Sequence, residues 1–86
     1  MVTVEFFGIP RQKAGTDRVA VGGGRLGEVL EELAARFPAL AEGCILNGRL
    51  AQGYVANLGG HRFVTDPQTR LAADDCVLIL SADAGG

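Results

Sequence analysis

The sequence is short of what self-contained chemistry needs. Its 86 residues include one histidine, His61, and two cysteines, Cys44 and Cys76, which lie far apart and form no C-x-x-C. Neither a disulfide framework nor a zinc site can be read from that pattern. Both cysteines are expected to be reduced and buried, because a free cysteine packs as a small hydrophobe. Basic charge is not in excess either. Eight Lys+Arg against ten Asp+Glu leave a net charge of -2, which offers no field to a phosphate backbone and no polybasic patch to an anionic membrane. No apolar run approaches the roughly 18 residues of a membrane span, and Met1 to Glu5 has no basic segment leading into an apolar stretch. A cytoplasmic protein with no nucleic-acid and no membrane partner is the expectation. The length admits one small domain with one core and excludes a two-domain enzyme.

What is present is alternation and periodicity. Val2-Thr3-Val4-Glu5-Phe6-Phe7 alternates with a period of two, which predicts a strand with Val2, Val4 and Phe6 facing a core. Gly8 to Thr16, with Pro10 and Gly15, is expected to turn the chain into a second alternating run, Asp17 to Val21, closing a broad hairpin. Gly22-Gly23-Gly24 breaks that strand. Leu26, Val29, Leu30, Leu33 and Phe37 then recur at helical spacing until Pro38. The opposite face of this helix holds Glu28, Glu31, Glu32 and Arg36, expected to be a solvated face with acids early and the base late, as the helix dipole favours.

Asn47-Gly48 predicts a tight turn after Cys44-Ile45-Leu46. Gly53 to Leu58, a Gly59-Gly60 turn and Arg62-Phe63-Val64 predict another hairpin. Ala72-Ala73-Asp74-Asp75 turns into Cys76-Val77-Leu78-Ile79-Leu80, which is apolar at every position and predicts a central strand covered on both faces. Hairpin, helix, short strands and a final central strand give an α+β fold, a mixed sheet packed on one main helix, best matched by the β-grasp, ubiquitin-like arrangement. The right-handed crossover rule sets the last strand parallel to and beside the first.

No group of residues forms an active site in sequence. His61 reads as a solvated turn residue. Ser81 has no base near it, and a Ser/His/Asp set would need the single histidine to meet it across the fold. Gly22-Gly23-Gly24 lacks the Gly-Lys-Ser/Thr of a phosphate loop and the third spaced glycine of a dinucleotide turn. Asp74 and Asp75 sit in a turn with no apolar pocket to raise a pKa. One feature remains: after the apolar last strand the sequence runs Ser81-Ala82-Asp83-Ala84-Gly85-Gly86. The expected division is a domain over 1–80 and an extended tail over 81–86, whose six residues reach about 20 Å when fully extended. Such a tail is slim enough for a narrow channel in another protein. Its terminal carboxylate is a poor electrophile until it is converted to an acyl phosphate or acyl adenylate, and the activating machinery must come from a partner.

Three motifs in order then resemble the sulfur-carrier family of ubiquitin-like proteins, most closely the small subunits of molybdopterin synthase (MoaD), with the thiamine-pathway carriers (ThiS) as relatives. Phe7 to Asp17 is similar to the family's F-x-x-x-R-x-x-x-G segment, with Phe7, Arg11 and Gly15 in place. Leu71 to Val77 is similar to its L-x-x-G-D-x-V turn, and Gly85-Gly86 to its tail. The resemblance covers most of the chain and is weakest from about Ala39 to Gly53. The turn glycine is replaced by Asp74, a residue that tolerates left-handed backbone. Ile79-Leu80 stand where aromatics are common, and Ser81-Ala82 where prolines are.

The resemblance implies that Gly86 is adenylated by an E1-like enzyme using ATP and Mg²⁺, with no cofactor bound by the chain itself. A sulfur donor such as a cysteine desulfurase or rhodanese then forms a thiocarboxylate. It further implies that Gly85 and Ala84 keep the threading path slim, that Phe7, Leu78 and Leu80 dock a partner, and that the molybdopterin synthase large subunit supplies the catalysis. The Arg11 to Gly15 segment and the two turns between Cys44 and Gly60 favour the molybdenum branch over the thiamine one. The readings beside it are a carrier for thiamine, cysteine or tRNA thiolation, a ubiquitin-like modifier that has Lys13 as its one lysine, and a binding module with an idle tail.

Overall fold

The computed structural model describes residues 1–82. The alternating opening segment forms β1 (Val2–Phe6), with Val2, Val4 and Phe6 buried as their spacing predicts. It pairs antiparallel with β2 (Arg18–Val21), Val2 opposite Val21 and Glu5 opposite Arg18. Between them the expected turn is a short helix, α1 (Ile9–Ala14). Pro10 lies in its first turn, where a missing N–H costs nothing, and it is buried. Gly15, at φ 74, ends the helix in the left-handed conformation, its N–H donating to Arg11 O.

The two-residue strand β3 (Gly24–Arg25) leads into α2 (Leu26–Arg36), which buries Leu26, Val29, Leu30 and Leu33. Its start is pinned by Leu26 N–H donating to Thr69 O and Gly27 N–H to Pro67 O, both at 2.9 Å. Glu28 reaches back to accept the Arg25 N–H at 2.8 Å, satisfying one of the donors a helix start leaves open. The helix stops at Arg36 as Pro38 requires, and Pro38 itself opens a further turn of helix, α3 (Pro38–Ala41). The charged face of α2 is not merely solvated. Glu32 accepts the Gly22 N–H at 3.2 Å, while Arg36 donates to Ala20 O at 2.8 Å and to Glu32 at 3.3 Å, so this face ties the helix to the end of β2.

Asn47-Gly48 joins β4 (Ile45–Leu46) to β5 (Arg49–Leu50), with φ 54 and φ 73 as a two-residue hairpin turn requires. The next hairpin comprises β6 (Tyr54–Leu58) and β7 (Arg62–Val64). The small strand β8 (Arg70–Leu71) pairs with β3, and β9 (Cys76–Ser81) closes the fold. The main sheet runs β2-β1-β9-β6-β7, with β9 central, parallel to β1 and antiparallel to β6. This is the expected mixed β-grasp sheet. Asp74 occupies the family's turn-glycine position without left-handed backbone, since Asn47 is the one non-glycine residue at positive φ among the described residues. The turn is held instead by Asp75, whose carboxylate accepts the Ala72 N–H at 2.7 Å and whose N–H donates to Ala72 O.

The inner sheet face and α2 enclose the core, where Phe6, Leu30, Leu33, Val77 and Ile79 are each at most 1% exposed. Phe6 and Phe37 meet edge to face, ring centres 5.8 Å apart. Two expectations fail together at β9. The strand is covered on one face only, where Val77 and Ile79 are buried, while Leu78 and Leu80 on the other face are half-buried. Cys76 shares that second face and is half-buried, whereas Cys44 is fully buried; both are free thiols. The described helices pack together, α3 against both α1 and α2, on the Val77 and Ile79 side of the five-stranded sheet, and no described helix covers its other side. No described helix is long and apolar enough to cross a membrane.

Candidate functional site: the open sheet face and the last strand

Strand registers set the residues of the open face in rows. One row crosses the sheet as Arg18, Glu5, Leu78, Asn57 and Phe63. In the next row Leu80 lies opposite Val55. Phe7 follows one step beyond the Phe6 and Ile79 pair, its N–H donating to Ile79 O at 2.9 Å, which sets it beside Leu80. The three residues expected at a docking surface, Phe7, Leu78 and Leu80, are therefore neighbours on one face, Phe7 being 41% exposed. Sequence reasoning missed Val55 and Phe63. Phe63, 59% exposed, alternates with buried Val64, but only the pairing of Asn57 with Phe63 shows that it shares a face with Leu78.

One ion pair interrupts this apolar face. Glu5 stands between Leu78 and Arg18, with Arg18 Nη2 3.7 Å from its carboxylate and the Cys76 thiol donating to it at 3.6 Å. The ion pair is largely open to water and adds little stability. Burial pushes the Cys76 pKa up, the Glu5 carboxylate pushes it further, and Arg18 pulls it partly back. Raised in this way, the group stays a neutral thiol at mildly alkaline pH. Replacing Glu5 with Gln removes the negative neighbour and is expected to speed alkylation of Cys76 by iodoacetamide at pH 8 about two- to tenfold. Intact mass against time measures this, with buried Cys44 remaining unmodified.

The last strand also fixes where the chain leaves the domain. Ser81 belongs to β9, opposite Tyr54, and Ala82 N–H donates to Gly53 O at 2.8 Å. The ladder thus holds the chain two residues beyond the boundary expected after residue 80. Gly53 takes φ +98, with open space where a Cβ would be, so its glycine answers to backbone conformation and not to crowding. Ala84, Gly85 and Gly86, the expected threading and carrier residues, lie outside the described residues.

Conventional catalytic groupings do not assemble. His61 sits in the loop beyond one end of β6, and Ser81 pairs with Tyr54 at the other end, so the two do not meet. No group of three or more His, Cys, Asp or Glu that could hold a metal occurs among the described residues. A cleft of about 170 Å³ between α2 and the β6–β7 hairpin is lined mainly by Leu26, Leu30, Ala56 and Val64, with Arg49 and Tyr54 at its polar side. Its walls bring no nucleophile and base together.

No protein-family model matches the sequence, and no curated protein matches it. Solved structures do match by fold. Small archaeal modifier protein 1 from Methanosarcina acetivorans superposes with a TM-score of 0.82 at 25% identity, over 99% of this chain and 95% of that one. CysO from Mycobacterium tuberculosis gives 0.79 at 27% identity, over 95% and 99%. A putative molybdopterin converting factor, subunit 1, from Pyrococcus furiosus gives 0.69 at 26% identity, over 93% and 94%. The chain shares the β-grasp, ubiquitin-like fold of these neighbours and is similar to proteins of the ubiquitin-like sulfur-carrier family.

Proposed function

We propose that this chain is a sulfur carrier whose Gly86 carboxylate is charged by an E1-like enzyme. The carboxylate attacks the α-phosphorus of ATP, held with Mg²⁺ in that enzyme, and pyrophosphate leaves. A donor such as a cysteine desulfurase or rhodanese carries the sulfur as a persulfide; a thiol cleaves it, ending as a disulfide, and the hydrosulfide released attacks the acyl carbon. AMP departs, and a thiocarboxylate remains. Glycine suits this position because it offers the least hindrance to attack on the acyl carbon. The observation that carries the reading is the division of labour along β9. Its inner residues anchor it in the core, and its outer Leu78 and Leu80 form an open apolar face with Phe7. Its end is held by the bond from Ala82 to Gly53.

The client we propose is molybdopterin synthesis, with the chain as the small subunit beside a catalytic large subunit. The Phe7, Arg11 and Gly15 segment supports this, as does the likeness to a putative molybdopterin converting factor subunit. Residues 83–86 span at most about 14 Å when fully extended, a length suited to a narrow channel. A second reading, a protein modifier joined through Gly86 to lysines of other proteins, is favoured by the likeness to an archaeal modifier.

Incubating the full chain with an activating enzyme, ATP, Mg²⁺ and sulfide, followed by intact mass measurement, tests the proposal. The expected product has sulfur in place of one C-terminal oxygen. Adenylation without any thiocarboxylate would overturn the carrier reading, and amide-linked adducts on other proteins would establish the modifier.

A further inference from the structure

The two edges of the main sheet are finished differently. In an antiparallel pair the bonded positions alternate, so every second residue of an edge strand turns its N–H and C=O away from the sheet. On β2 the bond from Phe6 N–H to Asp17 O fixes the parity, and Arg18 and Ala20 face outward. These outward carbonyls are occupied. Thr16 Oγ1 donates to Arg18 O at 3.3 Å, and Arg36 donates to Ala20 O at 2.8 Å. Gly22 N–H, the next outward group, donates to Glu32 at 3.2 Å. A strand arriving here would have to displace an arginine and a carboxylate.

The β7 edge has no such cover. The bonds from Gly59 N–H to Cys76 O and from Ala82 N–H to Gly53 O show that odd-numbered residues of β6 bond to β9. The even-numbered ones bond to β7, where Ala56 faces Val64 and Leu58 faces Arg62. Phe63 therefore points its N–H and C=O outward, and Thr65 follows in the same sense. Neither has a hydrogen bond to a side chain among the described residues, and both are exposed.

This edge is also complementary to itself. It reads Arg62-Phe63-Val64-Thr65-Asp66. Two copies laid antiparallel about Val64 put Phe63 opposite Thr65 of the second copy, where four outward-facing donors and four acceptors complete the ladder. The same register sets Arg62 opposite Asp66 of the second copy, twice over. In the single chain neither Arg62 nor Asp66 has an ion pair among the described residues, and Asp66 uses only one carboxylate oxygen, accepting the Gln68 N–H at 2.8 Å. A register centred on Phe63 would set Arg62 against Val64 and lose both charge pairs, so charge selects the first.

We propose that β7 is a self-association edge whose partner is a second copy of this chain, joined through Phe63 and Thr65 and flanked by Arg62 and Asp66 pairs into one continuous sheet. The contact is two-fold and closed, and the occupied β2 edge keeps the sheet from growing further. One short strand buries less than a stable dimer interface does, so the association is weak and reversible, with a dissociation constant of about 0.1–1 mM. Antiparallel neighbours in one sheet share their faces, so the rows carrying Leu78 and Leu80 stay open in both copies. This inference stands independently of the sulfur-carrier reading.

A dilution series of the full isotope-labelled chain, from about 2 mM to about 20 µM, followed by amide NMR and sedimentation velocity, tests it. The expected result is a monomer–dimer equilibrium in which the amides of Phe63 and Thr65 shift most with concentration. Arg62→Glu replaces two attractions with two repulsions and should weaken association at least about tenfold. Arg70→Glu, the same charge change on β8, should leave it within about twofold. A chain that stays monomeric throughout the series would overturn the proposal. So would association indifferent to Arg62→Glu, or shifts centred on β2 or on Leu78 and Leu80.

Discussion

The chain lacking Gly86 is expected to unfold at the same temperature as the parent and to accept sulfur at least about a thousandfold more slowly. The first half follows from burial. Among the described residues the buried ones run from Val2 to Ile79, and glycine has no side chain to give to a core. The second half follows from geometry. Deleting one residue moves the acyl carbon back by about 3.5 Å, whereas reacting atoms must lie within about 3–3.5 Å of each other and a misplacement of about 1 Å already costs about a hundredfold. Calorimetry reads the first and intact mass over time the second. Gly86→Ala is the milder companion: the carboxylate stays in place and one methyl crowds it, so charging should continue at a reduced rate. Sulfur uptake at the parental rate without Gly86 would remove the carrier function from this position.

Two adjacent substitutions on β9 are expected to fail in opposite ways. Ile79 is 1% exposed and packs in the core, so Ile79→Ala should cost about 2–5 kcal/mol. For a domain this small that lowers the melting temperature by about 10 °C or more. Leu80 lies on the open face beside Phe7 and opposite Val55. Leu80→Arg should change stability by about 1 kcal/mol or less, since the guanidinium stays in water and the stem still covers the neighbouring side chains. At a docking centre the same change buries an unpaired charge, and binding to the activating enzyme should weaken at least about a hundredfold. Thermal melts and titration calorimetry separate the two. Unchanged binding by Leu80→Arg would show that the partner docks elsewhere.

How much of this was legible depended on the range over which each feature is decided. The alternation in Val2 to Phe6, the helical spacing from Leu26 to Leu33 and the Asn47-Gly48 turn are local, and each appears where its pattern puts it. The helix α1 was not legible: six residues with Pro10 inside and few apolar side chains are too short for a period to show. The bonds of Glu32 and Arg36 were missed for a different reason. A charged helix face looks the same in sequence whether it meets water or the end of a neighbouring strand. Of the proposed site, Phe7, Leu78 and Leu80 were found from alternation and resemblance. Phe63 and Val55 needed the register of β6 with its two neighbours, which depends on pairing between distant parts of the chain.

The main strands, the long helix, their order and the buried faces of β1 and α2 are written in the sequence, because backbone periodicity and side-chain chemistry act between neighbours. The same reading sets the expectation that chemistry at Gly86 is supplied by another protein, since the sequence offers one histidine and two distant cysteines. Tertiary packing decided that β9 is covered on one side only, because every described helix lies on the Val77 and Ile79 face of the sheet. It also decided that β2 is a closed edge and β7 an open one. The reason is that a backbone group is satisfied or left free by whichever side chain the fold brings to it, and Arg36 and Glu32 are brought to β2 alone.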